Sequence, residues 1–307
     1  MIMKKMTCLI AGLPDSGKST YLGALWYVTQ SASGKIELAL RASNENMPEN
    51  TSLLEGLSRK WHNVEDMDRT SNDAPENISF LMCPMGSDDE LSIEVPDFRG
   101  ESIRQIITEN QPSEFDDWCS KAENLLFFVS DVRAGIYADD FEDDEDETDA
   151  AEKMSEEDKT DETPPVLELE PKNITPAAQN MLILRYLYEN YWFKKIVICL
   201  TAWDKVIKKN GGNPKDPEEY LMEQSPALYN FITFHFEHVK YFGLSAQGDE
   251  YNYVAKGEDD TKNKRVTDEC KKRLQKLTRE CKRAFVFDGV TKSYDITLPI
   301  AEFLKQG

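Results

Sequence analysis

Histidine is scarce in this chain of 307 residues, and no cysteine pair has Cys-x-x-Cys spacing. His62, His235 and His238 therefore lack the partners a zinc site needs, and His235 and His238, flanking Phe236, read as a sheet-edge or surface segment. Cys8, Cys83, Cys119, Cys199, Cys270 and Cys281 are scattered, several within apolar runs, which predicts reduced core thiols rather than a disulfide framework. Basic residues are also in deficit. Thirty-six Lys and Arg against 57 Asp and Glu give a net charge of -21, which opposes attraction to nucleic acid or to an anionic membrane. No apolar run approaches the roughly 18 residues that cross a bilayer, and the apolar part of the N-terminal stretch is too short for a signal peptide. A cytoplasmic protein with no membrane span and no nucleic-acid partner is the expectation.

What is present suffices for a core, since 40% of residues are hydrophobic and 10% aromatic. The charge is unevenly placed. Residues 139–170 hold 17 acids and two lysines, a net of -15, and with Thr163-Pro164-Pro165 this stretch has too little apolar surface to offset its ordering entropy. Residues 262–283 carry the opposite excess, ten Lys or Arg and three acids, around Val266, Cys270, Leu274, Leu277 and Cys281 at steps of three and four. The expected organisation is a single domain over 1–307, with an acidic disordered insertion at 139–171. A C-terminal insertion at 252–290 would carry a basic amphipathic helix.

Local patterns point to an α/β fold. An apolar run at 6–11 ends at a glycine loop and is followed by helical periodicity over 18–30, with Leu22, Leu25 and Trp26 on one face. A polar stretch with one helix near 53–61 precedes strands at 78–83 and 91–95, joined by a turn at 86–89 as a hairpin. The continuous apolar runs 125–129 and 196–200 are of the kind that parallel sheets bury on both faces. Thr175 followed by Pro176 marks a helix start before the second of these, and a strand near 284–287 and a helix from about 298 end the chain.

Four short signals carry chemistry. Gly12-Leu13-Pro14-Asp15-Ser16-Gly17-Lys18-Ser19 fits GxxxxGK[ST] between a strand and a helix, the context in which backbone N–H groups cradle phosphates. In that mechanism Lys18 reaches the β and γ phosphates and Ser19 ligates Mg²⁺, with Thr20 next in the helix. Asp97, past the strand 91–95, is followed by Gly100, a DxxG pattern able to hold Mg²⁺ and sense a γ-phosphate. Thr201-Ala202-Trp203-Asp204 follows the strand 196–200, and Ser245-Ala246-Gln247 follows another apolar stretch. Each of the last three is weak alone, because polar residues past strands are commonly caps or turns.

Taken in order, the four signals resemble the Ras-like P-loop GTPases of the translation-factor-related class. That resemblance implies a mostly parallel central sheet with flanking helices, a G domain with insertions, and GTP or GDP with Mg²⁺ as ligands. It assigns Asp204 to guanine N1 and N2, and the Ala246 N–H to guanine O6. The long stretch before residue 78, the TAWD form and the insertions are similar, more narrowly, to bacterial double-GTPase families associated with conflict and defence operons. This implies a protein effector or a second GTPase as partner.

The departures bear on turnover. Ala202 stands where the family's base motif has a lysine, Glu101 stands where Ras-like enzymes carry a water-orienting glutamine, and Pro14 and Asp15 replace small residues. Thr70 is the expected switch I threonine and Mg²⁺ ligand, with Thr51 or Ser52 as alternatives. Arg69 and Arg99 each read either as a cis arginine finger or as a surface ion pair. A GTP-hydrolysing switch leads, using Lys18, Thr70, Arg99 and Glu101. A nucleotide-stabilised scaffold without turnover and a P-loop ATPase or nucleotide kinase stay open, the last opposed by Asp204.

Overall fold

The computed structural model describes residues 5–31, 36–42, 51–67, 78–84, 86, 89–95, 106, 116–130, 132, 174–255 and 264–305. Strand β1 (Lys5–Gly12) runs into helix α1 (Lys18–Ser31), followed by β2 (Leu40–Ala42), α2 (Thr51–Asn63), β3 (Ile78–Pro84) and β4 (Glu90–Val95). Next come the short α3 (Asp116–Cys119), β5 (Asn124–Val129), α4 (Pro176–Asn190), β6 (Lys195–Leu200), α5 (Trp203–Lys209), α6 (Pro217–Gln224), α7 (Pro226–His235) and β7 (Val239–Ser245). The chain closes with β8 (Tyr253–Ala255), β9 (Lys264–Val266), α8 (Asp268–Arg279), β10 (Phe285–Phe287), β11 (Lys292–Ser293), α9 (Leu298–Ala301) and a 3₁₀ turn at Glu302–Leu304.

Among the described residues, nine strands form one sheet in the order β11-β10-β7-β6-β5-β1-β4-β3-β2. Its centre, β4-β1-β5-β6-β7, is parallel, and antiparallel strands extend it at both sides, including the expected β3–β4 hairpin. The alternation of side chains sorts the core into two layers. Cys8, Ile10, Leu126, Phe128, Val197 and Cys199 face α1, α2 and the C-terminal Ile296, Ile300 and Phe303. Leu9, Ala11, Leu125, Phe127, Ile196 and Ile198 face α4 to α7. β5 is buried along its whole length, as its unbroken apolar run requires when both faces are covered.

Burial also explains the thiols. Desolvation raises the pKa of Cys8 and Cys199 far above the ordinary thiol value and lifts Cys119 to about 12, so all three remain protonated. Two helices begin where local chemistry says. The Thr175 hydroxyl accepts from the Ala178 N–H with Pro176 opening α4, and Thr267 caps α8 through the Cys270 N–H. α8 buries Cys270, Leu274 and Thr278 and turns its lysines and arginines outward. No helix among the described residues is long and apolar enough to cross a membrane.

Candidate nucleotide site

Both neighbours of β1 follow it in the sequence. β4 lies on one side and β5 on the other, so the strand order reverses at β1 and opens a crevice at its C-terminal end. The loop from Gly12 to Gly17 fills that position. Gly17 has φ +90° and Asp15 φ +59°, left-handed conformations of the kind that turn neighbouring N–H groups toward a common anion. At Gly12 a Cβ would lie 2.6 Å from the Phe128 carbonyl oxygen on β5, so only glycine lets the loop close against that strand.

Lys18 opens α1, and its Nζ donates to the carbonyls of Gly12 (2.8 Å) and Leu13 (2.6 Å) and to Ser16 Oγ (3.3 Å). The ammonium is thereby held across the mouth of the loop. Ser16 is buried beneath it, and Ser19 and Thr20 are half-buried in the first turn of α1. A concavity of N–H groups, a helix N-terminus and a held cation together suit a polyphosphate.

The loop after β6 lies beside this one. The Thr201 N–H and hydroxyl donate to the Val129 carbonyl at the end of β5, and a Cβ on Gly17 would lie 3.9 Å from the Thr201 side chain. Ala202 then adopts a left-handed conformation, φ 53° and ψ 38°, which turns the chain into α5 and sends Trp203 into the core. The Trp203 ring lies flat on β7, where a Cβ at Gly243 would sit 2.2 Å from it. Gly243→Ala is expected to destabilise the fold by about 1–3 kcal/mol or more through overpacking, measured by urea denaturation. An unchanged midpoint would mean that the ring is free to move.

Asp204, beside Trp203, receives a 2.5 Å hydrogen bond from the Ser245 hydroxyl at the end of β7, and Ser245 Oγ accepts from the Gly248 N–H. The adjacent Ala246 is buried. The structure thus brings together Gly12, Asp15, Ser16, Gly17, Lys18, Ser19 and Thr20 in one loop and helix turn, joined through Thr201 to Asp204, Ser245 and Ala246. Thr70, Arg69, Asp97, Arg99, Gly100 and Glu101 lie outside the described residues. Their sequence places Asp97 two residues beyond the end of β4, the strand beside β1. Thr51 and Ser52 open α2.

Two residues at this site carried no signal in the sequence. Trp61 on α2 donates its Nε1–H to the Ala246 carbonyl at 2.8 Å, and Arg283 donates its Nε–H to the Gln247 carbonyl at 3.0 Å. No regular spacing links positions so far apart in the chain.

Comparison with solved structures finds G domains at low similarity. The G domain of the T. maritima FeoB iron transporter is 10% identical, with a TM-score of 0.35, and the match covers 79% of this chain and 88% of that one. The bacterial selenocysteine-specific elongation factor EF-Sec is 14% identical, with a TM-score of 0.35, over 80% of this chain and 26% of that one. The GTPase-like domain of S. cerevisiae Ski7, bound to GTP, is 18% identical, with a TM-score of 0.39, over 84% and 47%. Curated protein sequences give no match. From the strand that leads into the glycine loop to the last helical turn, residues 9–303 match the Double-GTPase 1 family, and the chain belongs to that family of GTP-binding GTPases.

Proposed function

We propose that this protein is a molecular switch that binds GTP or GDP with Mg²⁺, hydrolyses GTP, and changes its affinity for a protein partner as it does so. The observation that carries this reading is the approach of three loops: Thr201 lies where a Cβ on Gly17 would just meet it, at 3.9 Å, and the Ser245 hydroxyl donates to Asp204. In this assignment backbone N–H groups of the Gly12–Ser19 loop and the Lys18 ammonium hold the phosphates, although Pro14 has no N–H to offer and that of Ser16 donates to the Leu13 carbonyl at 3.2 Å. The Ser19 hydroxyl, together with Thr70 and Asp97, would hold Mg²⁺, and the metal would supply neutralisation of phosphate charge. Asp204 accepts from guanine N1 and N2, Ala246 offers its N–H to O6, and Thr201 fixes the distance between base loop and phosphate loop.

Gly100 and Thr70 are the γ-phosphate sensors in this reading, and Arg99 and Glu101 are the groups beside the reacting phosphate. A carboxylate at Glu101 can orient water but repels the charge that develops on the phosphoryl group, so intrinsic turnover is expected to be slow. The partner is a protein effector or second GTPase, consistent with the family's name, and the whole chain acts as one G domain in the cytoplasm.

Ala202 supports a second reading, a scaffold that holds nucleotide without hydrolysing it, because the lysine stem that would cover the base is absent. Multiple-turnover phosphate release from GTP with Mg²⁺ separates the two. Slow release that passes several equivalents of protein supports the switch, and release that stops at or below one equivalent supports the scaffold.

A further inference from the structure

Arg283 is a buried cation, 1% exposed, and among the described residues no carboxylate lies within ion-pair distance of it. Burial works against its charge and pulls its pKa below the ordinary guanidinium value. Such a group persists only where its donors are satisfied. Its Nη1 donates to the Trp61 carbonyl and, at 3.5 Å, to the Thr278 hydroxyl. Its Nη2 donates to Tyr251 Oη at 2.8 Å and its Nε to the Gln247 carbonyl at 3.0 Å. The guanidinium also stacks 4.2 Å from the centre of the Trp61 ring. This planar fork ties α2, the loop after β7 and the last turn of α8 to one another.

The loop it joins is the one assigned above to the base. Trp61 holds the Ala246 carbonyl, Arg283 holds the Gln247 carbonyl, and a Cβ on Gly248 would lie 2.5 Å from the Arg283 carbonyl oxygen, so the loop rests directly on this residue. Asp204 and Ser245 fix the same loop from the crevice side. We propose that Trp61 and Arg283 are positioning residues for guanine specificity: from behind the loop they set the Ala246–Gln247 backbone where the Ala246 N–H meets the base. Neither touches the nucleotide. Because Trp61 lies on α2, the contact also ties the base loop to the helix whose end leads into residues 68–77, the stretch that holds Thr70.

The inference rests on the guanine reading of Asp204, and the test separates the two. Affinities for Mg²⁺·GDP and Mg²⁺·ADP are measured by calorimetry for the full chain, for Trp61→Phe, which keeps a ring but removes the N–H donor, and for Arg283→Lys, which keeps charge but loses the fork. The expected result is a preference for GDP over ADP about tenfold smaller in each variant, the worth of one buried hydrogen bond, with ADP affinity changed by less than about twofold. Equal losses of GDP and ADP affinity, or an unchanged preference, would overturn the inference. Should Arg283→Lys not fold, Trp61→Phe and Tyr251→Phe decide the matter, the latter removing only a hydroxyl at the far side of Arg283 and shifting the preference in the same direction. No preference for GDP in the unmodified protein would instead overturn the guanine reading itself, and this inference with it.

Discussion

Asp204→Asn is expected to weaken GDP binding by on the order of a hundredfold to a thousandfold, the cost of exchanging two hydrogen bonds to a carboxylate for one mismatched amide. The direction follows from donors and acceptors. Guanine presents N1–H and an N2 amino group, both donors, to which a carboxylate offers only acceptors. An amide offers one acceptor and one donor, and xanthine has a carbonyl where guanine has the N2 amino group. The variant should therefore gain affinity for xanthosine diphosphate while losing it for GDP. The Ser245 hydroxyl can still donate to the carbonyl oxygen of the introduced asparagine, which replaces its present acceptor, so the loop itself is expected to stay in place. Equilibrium titration with both nucleotides checks this, and an unaltered base preference would remove Asp204 from the base site.

Lys18→Ala is expected to reduce affinity for GDP and GTP alike by on the order of a thousandfold, since charge-assisted contacts to phosphate are each worth about 1.5–3 kcal/mol. In the structure this ammonium spans Gly12, Leu13 and Ser16 across the loop. Its loss therefore removes both the counter-charge and a tie that shapes the concavity. Lys18 is half-buried at a helix start rather than in either core layer, so the melting transition should remain cooperative. Nucleotide titration together with a thermal melt tests the two halves of the statement. A folded variant with unchanged affinity would refute the assignment of the phosphate loop.

Which parts of this molecule are legible in sequence follows from the range of the interactions that define them. β1, β5 and β6 announce themselves because a strand buried on both faces must be apolar throughout, and α4 does so because its Thr175 cap and Pro176 are adjacent in the chain. The same cap-then-proline signal recurs at Asp216-Pro217, where Asp216 accepts from the N–H groups of Glu218 and Glu219, and again at Ser225-Pro226. Helices α6 and α7 were thus within reach of local reasoning. β2 and β11 were less so, because two or three residues give too short a period to read, and their existence depends on partners in β3 and β10, the latter visible as the apolar run 284–287.

At the site the division is similar. The phosphate loop is contiguous, so its pattern is visible, and the pairing of Asp204 with Ser245 was approachable because Asp204 follows one strand and Ser245 ends another. Trp61 and Arg283 were not. An arginine within a run of basic residues reads as one more solvated charge, and only the fold reveals that it is buried against a tryptophan 222 positions away. Trp203 is a similar case: its role depends on Gly243 in the neighbouring strand, which no pattern near residue 203 specifies.

Titration of the nucleotide-free protein with GDP and ADP in the presence of Mg²⁺ tests the central claim most directly. The proposed site, with Asp204 assigned to guanine donors that adenine lacks, predicts binding of GDP at least about a hundredfold tighter than ADP. Equal affinity for the two, or tighter binding of ADP, would contradict it.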